Sequence, residues 1–123
     1  MKEAVGLING QVPGSIYEWR VAVALWKYKW NFAYQVQYFG GRRLPGGQVI
    51  DFLVFTLPKP TPVYVQGEHW HGGIREENDI IKINLLWSRM KNSIRKPEIF
   101  QGKDLHNQKD TNNLVLWTFG RNQ

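Results

Sequence analysis

Val49-Ile50-Asp51-Phe52-Leu53-Val54-Phe55 is a nearly continuous apolar run broken by one acid. A run of this length and composition reads as a buried strand. Pro58, Pro60 and Pro62 follow, and they force a turn, because proline fixes φ and cannot donate to a ladder. A further strand from Val63 to Gln66 completes a hairpin of two buried strands around the proline turn. A carboxylate inside such a run is costly to bury unless it is paired, hydrogen-bonded or bound to a cation. Period two sets Val49, Leu53 and Phe55 on the face of Asp51, which argues against simple exposure of that face. Asp51 is therefore the residue that its surroundings must justify.

Working toward the N-terminus, the basic loop Arg42-Arg43-Leu44-Pro45-Gly46-Gly47 precedes the run, and Phe32 to Phe39 is aromatic and β-branched with partial alternation before Gly40-Gly41. That pattern predicts a strand closed by a turn. Upstream, Ser15 and Glu18 have the spacing of a capping box, and Ile16, Trp19, Val23 and Trp26 recur at helical intervals, predicting a first helix over Ile16 to Tyr28. Residues 1–12 read as an irregular lead-in with a short strand at Ala4 to Ile8.

Toward the C-terminus, Ile80, Ile83, Trp87, Met90 and Ile94 step by three and four, which predicts an amphipathic helix between Asn78 and Ile94, with Lys82, Arg89 and Lys91 on its other face. Gly102 to Asn113 is polar and reads as a loop, and Leu114-Val115-Leu116-Trp117-Thr118-Phe119 reads as a closing strand. The expected order is helix, three strands, helix, strand. That is an α/β domain of the α+β kind, with three antiparallel strands, in a single unit whose core spans about residues 13–119.

Composition bounds the function. A chain of 123 residues suits one domain. No apolar run is long enough to cross a bilayer and no cleavable signal pattern opens the chain, so no membrane partner is expected and an intracellular setting is, either the cytoplasm or a host cell for a viral protein. The absence of cysteine removes disulfide frameworks, thiol catalysis and sulfur-built zinc sites. The formal charge of +6 and a pI near 9.7 favour polyanionic partners, because each neutralised phosphate releases counterions.

The segment Gly67-Glu68-His69-Trp70-His71-Gly72-Gly73 continues the strand after the proline turn, and an antiparallel hairpin brings its start toward Asp51. His69 and His71 are two apart, so in extended backbone they point the same way, opposite Trp70. The pair suits joint metal ligation, one histidine acting as a base, or a hydrogen-bonded loop pair.

Leu44-Pro45-Gly46, then Asp51-Phe52, then Val65-Gln66-Gly67 leading into Trp70-His71-Gly72, resembles the core of the very-short-patch mismatch-repair (Vsr) endonucleases. It also resembles the related homing endonucleases with a Glu, Asp, His, Asp signature, which share a restriction-endonuclease-like fold within the PD-(D/E)XK nucleases. The resemblance covers residues 15–94. It implies a metal-dependent DNA endonuclease in which Asp51 binds Mg²⁺ or Mn²⁺ with the Val65 carbonyl, and His71 is the base or proton shuttle. Glu18 would be an auxiliary acid, Asp79 would match the last acid of the homing-enzyme signature, and Trp70 would lie near the DNA. Both acids also have a capping role open to them, Glu18 with Ser15 and Asp79 at the start of the second helix. His69 would assist with the metal, and Arg42, Arg43, Arg75 and Lys82 would contact phosphates.

The chain departs from the pattern at three places. Gln66 stands where many of these nucleases carry a second acid, no Lys follows two residues later, and Glu68 replaces a Cys of the mismatch enzymes, whose structural zinc site is missing here. Mismatch repair is thereby disfavoured while DNA cleavage is retained. The small size and the lack of a recognition domain predict either structure-dependent cutting or a partner, whether a second copy or a larger recognition protein. Three other classes stay open: a non-catalytic nucleic-acid-binding module; a cupin-type metal enzyme, since His69, His71 and Glu76 imitate a first cupin metal motif although His106 lacks the surroundings of the second; and a structural or interaction protein that binds through exposed aromatics. The second of these needs a barrel.

Overall fold

The run around Asp51 and the segment beyond the prolines both form strands, paired antiparallel as the apolar pattern requires. The computed structural model describes residues 3–38, 48–67 and 74–123, with backbone only for 74–79. Along the chain these residues build α1 (Ile16–Lys27), β1 (Phe32–Tyr38), β2 (Gln48–Val54), β3 (Thr61–Gln66), α2 (Ile74–Met90), β4 (Glu98–Gln101) and α3 (Gln108–Phe119). The four strands make one open sheet in the order β1-β2-β3-β4, antiparallel except for the parallel pair β3–β4. A parallel neighbour requires a crossover, and α2 supplies it. The α+β architecture is as expected.

The last third of the chain differs from expectation. Leu114–Phe119 is the end of helix α3, not a strand, and the helix begins inside the segment read as a loop. The Asn107 side chain accepts from the Asp110 N–H at 2.8 Å, and the Gly120 N–H closes the other end on the Leu116 carbonyl at 2.8 Å. A short contiguous apolar run does not distinguish strand from helix, and the cap at Asn107 decides it. The closing strand is instead Glu98–Gln101, four residues that are too few to show a period.

Each face of the sheet carries its own core. One cluster joins Val21, Ala24 and Leu25 of α1 and Val115 of α3 to Phe32, Tyr34, Phe52, Val54, Val63 and Phe100. The other joins Ile83 and Leu86 of α2 and Ile94 to Ile50 and Tyr64, with Val36, Tyr38 and Ile99 against it. The first helix is amphipathic as predicted; Val21, Ala22, Ala24 and Leu25 are its buried residues, and Trp26 is 41% exposed with its ring against Phe32 and Trp19 at 5.8 Å between centroids. In α2, Ile83 is buried, Trp87 and Met90 pack inward, Ile80 is exposed, and Lys82 and Arg89 face outward; the helix ends at Met90, so Lys91, also exposed, and Ile94, buried, lie beyond it.

The lead-in is no strand at Ala4–Ile8. Asn9 (φ 47°) and Gly10 (φ 85°) form a tight turn closed by the Ile8–Gln11 bridge, the residue pair that two consecutive positive φ values favour. Asn9 Nδ2 donates to the Phe32 carbonyl at 3.1 Å and Gln11 Nε2 to the Tyr34 carbonyl at 3.4 Å. The turn therefore covers part of the exposed edge of β1, where unpaired backbone would otherwise invite association.

If Leu114–Phe119 ends a capped helix, Asn107→Ala removes the cap and costs about 1 kcal/mol. Urea denaturation with circular dichroism should register that loss, and an unchanged midpoint would contradict the helix.

Candidate functional site

Glu18 belongs to the first turn of α1. Ser15 is extended (φ −161°), and its Oγ accepts from the Glu18 N–H at 3.2 Å, so half of the expected capping box forms. The Glu18 carboxylate takes the Ser15 hydroxyl on Oε2 at 3.0 Å and turns Oε1 toward the sheet, accepting from the Tyr34 hydroxyl at 2.5 Å and Gln35 Nε2 at 3.0 Å. Capping and facing the site are therefore the same conformation. Gly14 makes this possible, because a Cβ there would sit 2.7 Å from Glu18 Oε2. Its N–H donates to the Tyr34 hydroxyl at 3.0 Å.

Gln35 lies within β1 at φ 57°, a left-handed conformation that costs a non-glycine residue about 1–3 kcal/mol. The pairs Tyr34↔Phe52 and Val36↔Ile50 flank it, so it stands opposite Asp51. At this position the hairpin changes sides. Phe32, Tyr34, Phe52 and Val54 join the core under α1 and α3, whereas Val36, Tyr38 and Ile50 pack with α2. Simple alternation through Asp51, which placed it on one face with Val49, Leu53 and Phe55, fails for this reason.

Asp51 is half-buried and held from two sides. Gln35 Nε2 donates to Oδ1 at 3.4 Å, and the Val65 N–H donates to Oδ2 at 2.8 Å. The β2–β3 register runs Val54↔Thr61, Leu53↔Pro62 and Phe52↔Val63 and stops there. Beyond it, the Asp51 carboxylate replaces a backbone acceptor for β3. In a strand the N–H and C=O of one residue leave on the same side, so the Val65 carbonyl faces the same gap. Two carboxylates from α1 and β2 thus converge on a single amide, with a backbone oxygen beside one of them.

The surrounding tyrosines are shifted by this setting. Burial, followed by the hydrogen bond to Glu18, pushes the Tyr34 hydroxyl up to about 12. Burial, with the negative charge of Asp51 adding to it, pushes Tyr64 further above the ordinary tyrosine range. The Tyr64 hydroxyl donates to Gln48 Oε1 at 2.6 Å, and Gln48 Nε2 donates to the Lys82 carbonyl at 2.9 Å, tying β2 to α2.

Glu18, Asp51 and Val65 are therefore brought together. Arg42, Arg43, His69, Trp70 and His71 lie outside the described residues, as do the side chains of Arg75, Glu76 and Asp79 in α2. Lys82 is exposed on α2, bonded through its backbone to Gln48. Gln66 is buried, its Oε1 accepting from Gln101 Nε2 at 3.4 Å. Among the described residues no three of His, Cys, Asp and Glu gather into a metal-holding group. The open four-stranded sheet offers no cupin barrel to the histidines and Glu76.

Two members of the site were missed in the sequence, Tyr34 and Gln35. A two-residue turn at Gly40-Gly41 would set Gln35 opposite Gly46, not Asp51, and no sequence signal marks the positive φ of Gln35. The chain was compared with family models, curated proteins and solved structures, and it matches none of them. No helix among the described residues is long and apolar enough to cross a membrane.

The raised Tyr34 value has a consequence for stability. An unfolded tyrosine ionises near pH 10, whereas the folded one holds its proton to about 12. Between these values the unfolded state binds fewer protons, so stability present below pH 10 declines as pH rises through the window. Urea midpoints measured across that range should fall less steeply for Tyr34→Phe than for the native chain, and parallel slopes would refute the assignment.

Proposed function

We propose that this chain is a metal-dependent endodeoxyribonuclease that hydrolyses phosphodiester bonds at Asp51. The observation that carries the reading is the convergence of the Glu18 and Asp51 carboxylates on the Gln35 amide, at a strained residue where the β1–β2 hairpin changes faces. Strain held by its surroundings concentrates at functional sites. The domain architecture and the basic charge are compatible with the resemblance to the Vsr-type and related homing nucleases.

The oxygen donors fit Mg²⁺ or Mn²⁺. Hard cations take carboxylate and carbonyl oxygen, and Mg²⁺ keeps several waters, so it needs few protein ligands. Asp51 would hold the ion, with the Val65 carbonyl as a backbone donor, Glu18 as the auxiliary acid and His69 in support. When bound, the metal polarises the phosphoryl oxygen and stabilises the leaving oxygen. The chain's own groups have separate tasks in this reading. The Val65 N–H orients Asp51, Ser15 and Tyr34 orient Glu18, and the two N–H bonds of Gln35 offset the repulsion between the facing carboxylates. His71 takes a proton from the attacking water. Arg42, Arg43, Trp70, Arg75 and Lys82 are the proposed DNA contacts, and Asp79, which is in the second turn of α2 and so does not cap it, is a further acid.

A second reading, a nucleic-acid-binding module without catalysis, has its own observation. All four carboxylate oxygens of Glu18 and Asp51 accept hydrogen bonds within the protein, and Gln66 replaces an acid with a neutral amide held by Gln101.

A nicking assay on supercoiled plasmid separates the two. Mg²⁺- or Mn²⁺-dependent nicking, abolished by EDTA, should fall about 100-fold or more in Asp51→Asn and in His71→Ala, and about 10-fold in Glu18→Gln. Retention of nicking in both Asp51→Asn and His71→Ala, or none in the native protein, would favour the binding module.

A further inference from the structure

The strand polarity gathers many chain ends at one edge of the sheet. β1 begins where β2 ends, at Phe32↔Val54, β3 begins at Thr61↔Val54, and β4 begins at Glu98↔Val63. The exit from α1, the proline hairpin, the exit from α2 and the C-terminal tail all meet there. Cross-links hold them together. The Phe55 N–H donates to the Asn31 carbonyl at 2.9 Å, the Arg95 N–H to Pro60 at 2.8 Å, and the Asn122 N–H to Tyr28 at 2.9 Å. Lys59 Nζ donates to the Lys91 carbonyl at 3.2 Å, and the Arg95 guanidinium donates to the Leu57 carbonyl.

Residues 27–31, 55–60, 91–98 and 120–123 form this end, and they contain seven Lys and Arg against the single acid Glu98. The resulting +6 equals the formal charge of the entire chain, so the remainder is balanced. Lys27, Lys29, Lys91, Arg95, Lys96 and Arg121 are exposed, and Lys59 is half-buried. None of the seven makes an ion pair with a described carboxylate. Of these only Lys27 occupies the last turn of a helix, where a cation offsets the helix dipole. Lys29, Lys91 and Arg121 stand within two residues of the ends of α1, α2 and α3, whereas Lys59, Arg95 and Lys96 stand on connecting segments and have no such role. At the hairpin tip Leu57 is 84% exposed and Phe55 47% exposed.

We propose that this end of the sheet is a nucleic-acid-binding surface that grips the phosphodiester backbone, with the Phe55–Leu57 tip resting against sugar and base. A cluster of cations with no carboxylate partner among the described residues is the electrostatic footprint of a polyanion site, and apolar side chains set beside cations wedge against bases in many nucleic-acid-binding proteins. Exposed Trp26 and Trp117, in the last turns of α1 and α3, add apolar surface near this end, so lipid vesicles are one arm of the test. The surface does not include Arg42 or Arg43 and needs no cleavage. It would hold the DNA of the proposed nuclease, yet it binds whether or not the chain cuts.

Binding is therefore read in EDTA, by fluorescence anisotropy of a labelled DNA duplex over a series of salt concentrations, with a labelled single strand and phosphatidylserine vesicles as further arms. Lys91→Glu/Lys96→Glu is compared with Lys103→Glu/Lys109→Glu, which makes the same charge change at exposed positions elsewhere. The first pair should weaken DNA binding more than 10-fold and lower the slope of log K against log salt by about 2, since each lost phosphate contact removes about 0.9. Lys91→Gln/Lys96→Gln, with an unchanged melting temperature, should lower the slope similarly with a smaller loss of affinity. Equal losses in the two Glu pairs, no DNA binding by the native chain at low salt, or capture by vesicles but not DNA would each overturn the proposal. Nicking by Asp51 is read separately, with Mg²⁺ or Mn²⁺ on plasmid, so failure of this surface and failure of the nuclease reading are distinguishable.

Discussion

The Gln35 amide between Glu18 and Asp51 is the constraint on which the centre of this fold depends. To place it there, β1 adopts a positive φ within a strand, and the cost of that conformation is offset by what the amide then joins. Glu18 is fixed by Ser15 and Tyr34, Asp51 by the Val65 N–H, and Gln35 spans the two. The side chains after Gln35 and before Asp51 pass to the opposite face, which lets one hairpin feed two cores. The same irregularity thus serves packing and assembles the polar cluster.

The two cores divide the work. The larger one, under α1 and α3, stacks Phe32, Tyr34 and Phe52 with ring centroids 5.4 and 5.1 Å from Phe52, and it anchors the helix that carries Glu18. The smaller one seats α2 on Ile50 and Tyr64, and the Tyr64–Gln48–Lys82 chain ties that helix to β2. Asp51 lies at the boundary between them. A carboxylate there is partly dried by both cores, and every buried side-chain nitrogen or oxygen among the described residues has a partner, as burial of polar atoms demands.

Charge is distributed by topology. Antiparallel β1–β3 and the parallel return of β4 bring connecting segments distant in sequence to one end of the sheet, and those segments hold the entire excess of positive charge. Along the chain the same residues are scattered as ordinary lysines and arginines. Only the register makes them neighbours.

Much of the architecture was legible in the sequence. Apolar runs, prolines and three-and-four spacing determined α1, β1, β2, β3 and α2, and an acid within Val49–Phe55 singled out Asp51, because burying charge is costly wherever it occurs. Glu18 was legible through its distance from Ser15. The helix at Gln108–Phe119 and the strand at Glu98–Gln101 were not, since short segments lack a readable period. The spacing of Ile16, Trp19, Val23 and Trp26 found the apolar side of α1 but not its most buried residues, Val21, Ala22, Ala24 and Leu25, because large aromatic side chains can cover the margin of a core as well as fill it. What only the tertiary structure decided is the meeting of Glu18 with Asp51 through Gln35, the change of faces in the hairpin and the basic end of the sheet. Each depends on long-range register and on one residue's backbone angle, and local sequence preferences encode neither.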